Sequence, residues 1–328
     1  MDTLRRRHFL IQAGALPAAL SLAAAGPAWA QATASRVIVP YAPGAATDAL
    51  ARLMAQALEG ALGGTFIVEN KAGGGTQIGT KAIATAPPDG HTLGFVDTAF
   101  VINPGLFGKS LPYDTRQDFV PLSLMATAPF VLLVHHSVRA ASVQELVALA
   151  KSKPDGLNYG SAGIGSAPHL AGEQLRVAAG IPATHVPYRG GSTVLNDMIA
   201  GHIDFGFTTV PTMIEHIRAG TLRALAVTGP VRAAQLPQVP TMAEAGLSSV
   251  DASPLFGLVA PAGMPAERLQ QIGQAASSAV KAGPLNSKLT GMGFIPVGST
   301  PAEFKARIEA EIDKWSRVIA EGRIKPNT

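Results

Sequence analysis

Val39–Leu58 reads VPYAPGAATDALARLMAQAL: the end of a strand, a turn of small residues, and the opening of a helix. Ahead of the turn, Arg36–Val39 is a short β-branched run that stops at Pro40. Behind it the period changes. Leu50, Leu53, Met54, Ala57, Leu58, Ala61 and Leu62 recur at helical spacing, with Arg52, Gln56 and Glu59 on the other face and Gly63-Gly64 as the stop. Val186–Leu195, VPYRGGSTVL, echoes this arrangement, and Tyr159–Leu170, YGSAGIGSAPHL, again joins a strand to a helix through Gly, Ala and Ser.

Outward from these turns, strands and helices alternate. Thr65–Val68 and Thr92–Val96 read as strands around a helix at Gln77–Thr85. Phe130–Val134, Leu157–Tyr159, Thr184–Val186, Ile203–Phe207, Leu222–Val227 and Leu255–Val259 continue the strand series. Ser142 with Glu145, and Thr300 with Glu303, are capping boxes; the second opens a helix with Phe304, Ile308, Ile312, Trp315 and Ile319 on one stripe and Gly322 after it. Such alternation predicts an α/β fold with βαβ units and parallel strands.

The chain has 328 residues, 47% of them hydrophobic, and no cysteine. Disulfides, cysteine nucleophiles, iron–sulfur clusters and cysteine zinc sites are therefore excluded. Residues 1–30 carry Arg5, Arg6 and Arg7, an almost uncharged run, and Ala28-Trp29-Ala30, which is the layout of a cleaved export signal. Arg6–Leu10, RRHFL, resembles a twin-arginine signal. Removal takes away three arginines and one aspartate, lowering the formal charge of +4 to +2. That balance, with aromatics at 5%, argues against a nucleic-acid partner. The expected mature chain is a soluble periplasmic monomer whose 298 residues are near the limit for one core, so two α/β lobes are expected. The expected division is 31–131 with 229–328 as one lobe and 132–228 as the other, the proline-rich Gly229–Pro240 making the return crossing.

Turns of this kind leave main-chain N–H groups bare at helix starts, where the dipole favours anions, and small side chains let a ligand approach. Each turn taken singly also reads as an ordinary one whose Ser, Thr or Asp caps a helix. Three together, at the carboxyl ends of strands, point to a ligand site. The candidates are Tyr41, Ala42, Gly44, Ala45, Ala46, Thr47 and Asp48 in the first loop, and Ser161, Ala162, Gly163, Gly165, Ser166 and His169 in the second. Asp48 would repel an anion, so a capping or orienting role suits it better.

Enzyme signatures are weak. The G-x-S-x-G elbow is missing, and Ala72–Gly79, AGGGTQIG, misses the dinucleotide spacing by one residue. His169 and Glu173 lie four apart, but no second histidine or carboxylate cluster accompanies them, so neither metal nor other cofactor is expected. A secreted hydrolase or isomerase using Ser161, Ser166 and His169 would need a third, orienting acid. A ligand sensor would need the same cleft as a transport receptor.

The runs VPYAPGAATDALARLMAQAL, VENKAGGGTQIG, APPDGHTL, INPGLF, LNYGSAGIGSAPHLAGEQL, HVPYRGG, LRALAVTGP, LPQVPTMAEAGL and FGLVAPAGMP cover nearly the whole chain after residue 30. In order and content they resemble the periplasmic receptors of tripartite tricarboxylate transporters, including the large Bordetella uptake-protein group. The resemblance implies a two-lobed type II periplasmic-binding-protein fold, with a ligand cleft between the lobes, that takes a carboxylate and delivers it to membrane permease subunits. It implies further that Ala42–Asp48 and Ser161–Ser166 grip the carboxylate, partly through ordered water, with Thr98 and Tyr188 lining the cleft. Two departures stand out. Gly44-Ala45-Ala46 replaces a more glycine-rich triplet, and Phe207-Thr208-Thr209 stands where the family often has Phe-Asp-Asn. Thr208 in place of the acid removes a partner for an ammonium group, so the expected ligand is a dicarboxylate or aromatic carboxylate without an α-amino group.

Overall fold

A computed structural model describes residues 34–44, 46–188 and 191–326. The expected export segment, residues 1–30, and Ala45 lie outside the described residues. The first half of the chain runs β1 (Ser35–Val39), α1 (Ala46–Leu62), β2 (Phe66–Asn70), α2 (Gln77–Ala84), β3 (Thr92–Asp97), α3 (Ala99–Phe107), β4 (Phe119–Thr127) and β5 (Phe130–His135). It continues through α4 (Val143–Ser152), β6 (Leu157–Ser161), α5 (Ala167–Ala179), β7 (Ala183–Pro187), α6 (Gly191–Ile199), β8 (Phe205–Thr209), α7 (Val210–Arg218) and β9 (Leu222–Val227). The last part is β10 (Leu255–Pro261), α8 (Ala266–Lys281), α9 (Pro284–Gly291), β11 (Ile295–Pro296) and α10 (Pro301–Gly322).

The strands form two sheets, ordered β11-β4-β10-β3-β1-β2 and β7-β6-β8-β5-β9. Strands β1, β2 and β3 pair in parallel, as do β6, β7 and β8, so the expected parallel geometry holds where βαβ units build the sheet. The remainder is antiparallel: β10 against β3 and β4, and β5 against β8 and β9. The reason is connectivity. Strands β5 and β10 are those by which the chain enters each sheet from the other, β5 from β4 through Ala128-Pro129 and β10 after β9, rather than through a βαβ crossover within one sheet. Every residue of β5 and β10 is buried, as expected for strands covered on both faces.

Helix α1 buries Thr47, Asp48, Leu50, Ala51, Met54, Ala55 and Leu58. This face is rotated from the expected stripe: Ala51 and Ala55 turn inward, and Ala61 is exposed. Small side chains there let α1 lie close to its neighbours. Helix α3 has no counterpart in the sequence reading, because Pro104 and Gly105 mask it. Its apolar residues Phe100, Val101, Ile102 and Leu106 are nevertheless buried, and Asn103 Nδ2 donates to Gly75 O at 3.0 Å and Thr76 Oγ1 at 3.1 Å. Strand β8 starts two residues later than the expected Ile203–Phe207.

Threonine hydroxyls stitch the places where the chain passes between the sheets. Thr127 Oγ1 donates to Pro254 O at 2.7 Å, and Thr228 Oγ1 accepts from Phe130 N at 3.0 Å while donating to Ala252 O. One apolar cluster continues across both sheets, joining Phe100, Leu106, Trp315 and Ile319 to Tyr159, Leu170 and Leu175. Among the described residues, no helix is long and apolar enough to cross a membrane.

The α10 capping box forms as the sequence predicts: Glu303 N donates to Thr300 Oγ1 at 3.3 Å, and Thr300 N to Glu303 Oε2 at 2.8 Å. At Ser142 the hydroxyl accepts from Glu145 N at 3.1 Å, but Glu145 reaches the N–H of Ala141, one residue before the cap. Phe304, fully buried, fills the space left by the missing side chain of Gly257. Phe304→Ala is expected to cost about 3–5 kcal/mol and Thr300→Ala about 1 kcal/mol. Urea denaturation monitored by circular dichroism distinguishes a core anchor from a cap by that ratio.

Candidate ligand-binding site

Polar groups collect at the carboxyl ends of β1, β2 and β3. Asp48, 4% exposed, is the hub of this cluster. Its Oδ2 accepts from Gly44 N at 3.0 Å and Arg52 Nε at 3.1 Å; its Oδ1 accepts from Arg52 Nη2 at 3.0 Å and Asn70 Nδ2 at 2.9 Å. Asn70 also donates to Tyr41 O at 3.0 Å. Burial would raise the Asp48 carboxyl, but hydrogen bonds from Arg52, Gly44 and Asn70 outweigh it and hold the group below its ordinary range. Asp48 therefore orients its own loop.

A second carboxylate stands beside it. Asp97 Oδ1 accepts from Tyr41 Oη at 2.8 Å and from Ala99 N at 3.0 Å, and Asp97 Oδ2 accepts from Thr47 Oγ1 at 3.1 Å. Burial pushes Asp97 up from the usual carboxylate value despite these three donors. Thr98, 1% exposed, turns its hydroxyl to accept from Leu255 N at 3.1 Å, tying α3 to the start of β10.

The second cluster lies at the ends of β6 and β7. Ser161 is fully buried; its Oγ donates to Gly163 O at 3.1 Å, accepts from Gly163 N at 3.2 Å, and lies 2.7 Å from His185 Nε2. Gly165 N donates to His169 Nδ1 at 3.1 Å, which leaves the His169 proton on Nε2. Ser166 caps α5 and donates to Gly163 O at 2.7 Å. Tyr188 N donates to Ser161 O at 3.0 Å, and its hydroxyl donates to Asp197 at 2.6 Å. Burial, followed by Asp197, pushes the Tyr188 phenol up to about 12.

Beneath this loop His169 and His185 stack with centroids 3.9 Å apart, and Tyr159 stacks on His185 at 4.9 Å. Burial, then the neighbouring His185 and Arg176, lowers His169 to about 3. Burial lowers His185 to about 4, against a smaller opposing pull from Glu173. Both imidazoles are neutral at pH 7, so Nδ1 of His169 stays an acceptor.

Many of the expected donors are already engaged. The N–H groups of Gly44, Gly163, Gly165 and Ser166 all have protein acceptors, as do the hydroxyls of Tyr41, Thr47 and Tyr188. Among the described residues, no protein acceptor takes the N–H of Ala46 or Thr47 at the start of α1, or that of Ala162, Ile164 or Ala167 in the second loop. Ala42 and Gly44 are exposed, and Ala162, Ile164 and Ser166 are half-buried. Ala45 lies outside the described residues. Thr208, half-buried, pairs with Val131 at the end of β8. Leu106 of α3 packs on Gly165, whose φ is +77° and where an added methyl would overlap Leu106 Cδ2. That contact joins the second loop to the α3 side of the molecule.

Sequence reasoning missed Asn70, Asp97 and His185. Asn70 and Asp97 had a signal: each is the final, polar residue of an otherwise largely apolar strand. His185 had none, because only the stacking of β6 beside β7 puts it under Ser161.

The family model for the tripartite tricarboxylate transporter family receptor matches residues 50–324. The chain belongs to this receptor family. BugT of Bordetella pertussis is 33% identical over 287 residues, 87% of this chain and 88% of that protein. The R. palustris protein Rpa4515, solved with adipate, superimposes with a TM-score of 0.82 at 31% identity, covering 90% of this chain and 98% of that one. MatC of Rhodopseudomonas palustris, solved with bound malate, has a TM-score of 0.79 at 29% identity, covering 87% of this chain and 98% of that one. The receptor fold is accordingly the two-lobed periplasmic-binding architecture, and this chain is a solute-binding receptor, not an enzyme. Among the described residues, no carboxylate hydrogen-bonds to the His185 that meets Ser161. Glu173, which an orienting acid or a metal pair would require, is held instead by Tyr159 Oη at 2.6 Å and Arg176 Nη2 at 2.7 Å.

The neutral histidine pair has a pH signature. Unfolded, both residues titrate near 6.5; folded, they titrate near 3 and 4. Between those values the unfolded chain binds more protons, so stability declines as pH falls from about 6.5 toward 4. His169→Asn, which removes one of the two titrations, is expected to reduce that slope by about half in urea midpoints measured from pH 7 to pH 4.

Proposed function

We propose that this receptor captures a small dicarboxylate or aromatic carboxylate lacking an α-amino group, and delivers it to the permease subunits of a tripartite transporter. The observation that carries the reading is the set of unengaged N–H groups at Ala46, Thr47, Ala162, Ile164 and Ala167, presented from two loops at helix starts. A hydrogen bond to a charged group contributes roughly 1.5–3 kcal/mol. Several of these, after the cost of association, suffice for the roughly −8 kcal/mol of micromolar affinity.

The relatives solved with adipate and with malate support the carboxylate class. Thr208 supports the exclusion of amino acids, since it offers no charge to an ammonium group. The lobes are assigned to 31–131 with 229–328 and to 132–228. Crossings near Ala128-Pro129 and after Thr228, where the threonine hydroxyls stitch the chain, agree with that division. Binding then favours closure through the tighter contacts available when both loops reach the ligand. The protein is exported on the signal of residues 1–30 and acts as a periplasmic monomer.

Calorimetric titration of the purified protein is expected to give micromolar dissociation constants for adipate or malate and at least tenfold weaker binding of aspartate and glutamate. Tight binding of the amino acids alone would overturn the ligand class. The backbone grip has its own test. Ala46 is the first helical residue, where proline is tolerated and removes one N–H. Ala46→Pro is expected to weaken the same titration about tenfold or more, with the urea midpoint unchanged.

A further inference from the structure

Two carboxylates stand at the helix starts that face the proposed ligand, and they differ in one respect. Asp48 is matched by the Arg52 guanidinium through two hydrogen bonds of 3.0 and 3.1 Å. Asp97 has only neutral donors: the Tyr41 phenol, the Thr47 hydroxyl and the Ala99 N–H. Among the described residues, no cation forms an ion pair with it.

The surroundings supply little else. Helix α3 and strand β10 contain no titratable side chain. Strand β1 has only Arg36, near its far end, paired with Glu69 at 3.7 Å. Helix α1 contributes the mutually paired Asp48 and Arg52, and Glu59 three turns on, which accepts from Phe66 N. Beyond Tyr41 stands Tyr113, neutral at physiological pH because burial raises it. Lys71 is engaged by Glu69 at 2.9 Å, and helix α2 carries only Lys81, in its last turn.

Thr47 links this carboxylate to the ligand side of the loop: its hydroxyl is on Asp97 while its N–H is among the unengaged donors. Resting on the reading above, we propose that Asp97 is the charge-sensing residue of the site: a ligand carboxylate bound at the start of α1 is accompanied by one proton taken up by Asp97. The alternative, two uncompensated carboxylates side by side in a partly buried site, is the arrangement that drives one of them to the neutral acid in paired-carboxylate sites. Protonated, the Asp97 carboxyl turns from acceptor to donor and adds a hydrogen bond to the ligand carboxylate. Asp48 does not respond, because Arg52 already neutralises it. The site thereby prefers its ligand at lower pH, by a mechanism internal to one residue.

The test is titration of the full chain with adipate and with malate at several pH values, each in two buffers of different ionisation enthalpy. Proton uptake shows as a buffer-dependent heat. The wild type is expected to take up a proton beyond the ligand's own share and to lose affinity as pH rises, by at most about tenfold per pH unit for one linked proton. Asp97→Asn keeps an acceptor for Tyr41 and Ala99 but cannot ionise, and is expected to lose the extra uptake and most of the pH dependence. Tyr41→Phe removes a donor that favours the ionised form, so its uptake is expected to extend to higher pH, opposite in direction to Asp97→Asn. Binding by the wild type without extra uptake, or equal uptake in Asp97→Asn, overturns the role of Asp97 alone. Failure of the wild type to bind either carboxylate overturns the functional reading, and this inference with it.

Discussion

The grip of Arg52, Asn70 and the Gly44 amide on Asp48 is the interaction on which the ligand-facing side of the first sheet depends. A loop of Ala, Pro and Gly has no side chains with which to hold its own shape. Asp48 supplies that shape from the first turn of α1, closing the loop at Gly44 and linking it to β2 through Asn70. A carboxylate at a helix start is also favoured by the dipole, so a single residue satisfies the helix and the loop together. The cost is a negative charge next to the proposed anion site, which the guanidinium of Arg52 offsets. The N–H groups of Ala46 and Thr47 remain without a protein acceptor among the described residues.

The second loop reaches rigidity by a different route. Ser161, Ser166 and His169 each bind main-chain atoms within Ser161–His169, and the paired imidazoles sit below in a buried stack. A neutral imidazole can accept a hydrogen bond here, as His169 Nδ1 does from Gly165 N. The apolar cluster through α3, α5 and α10 then ties this scaffold to the first sheet, with Trp315 fully buried within it. Leu106 against Gly165 brings that cluster up to the loop itself. The backbone of the two loops is thus supported by an ion pair in one and by aromatic packing in the other.

Much of this was legible in the sequence. The VPY turns marked the ends of β1 and β7, period changes located α1 and α10, and the Thr300 box fixed where α10 starts. The less legible parts share a physical cause. Helix α3 carries Pro104-Gly105, and only burial of its apolar residues and the bonds of Asn103 sustain it. The antiparallel β5 and β10 have strand patterns indistinguishable from parallel ones, since both faces of each are covered. At the site, glycine-rich turns were read as bare N–H groups, but in the fold the glycine amides are largely used internally. The amides left over belong to alanine, isoleucine and threonine. Glycine permits the turn; its neighbours present the donors.

That division of labour bears on how one scaffold can serve many carboxylates. Backbone donors survive every substitution except proline, so on the proposed reading the grip on a carboxylate is shared by the scaffold while the side chains around it are free to vary. In this chain the variable positions have taken a particular form. Ala46 and Ala162, both half-buried, each carry a methyl group beside an unengaged N–H, and Thr208 is uncharged. Asp97 places a carboxylate where the neighbouring fixed charge is already compensated. A site whose attraction comes from neutral N–H groups has no cation to spare for such a residue, so any charge it carries must be felt by the ligand. On the proposed reading, selectivity rests less on what binds the carboxylate than on which acidic side chains a bound carboxylate has to tolerate.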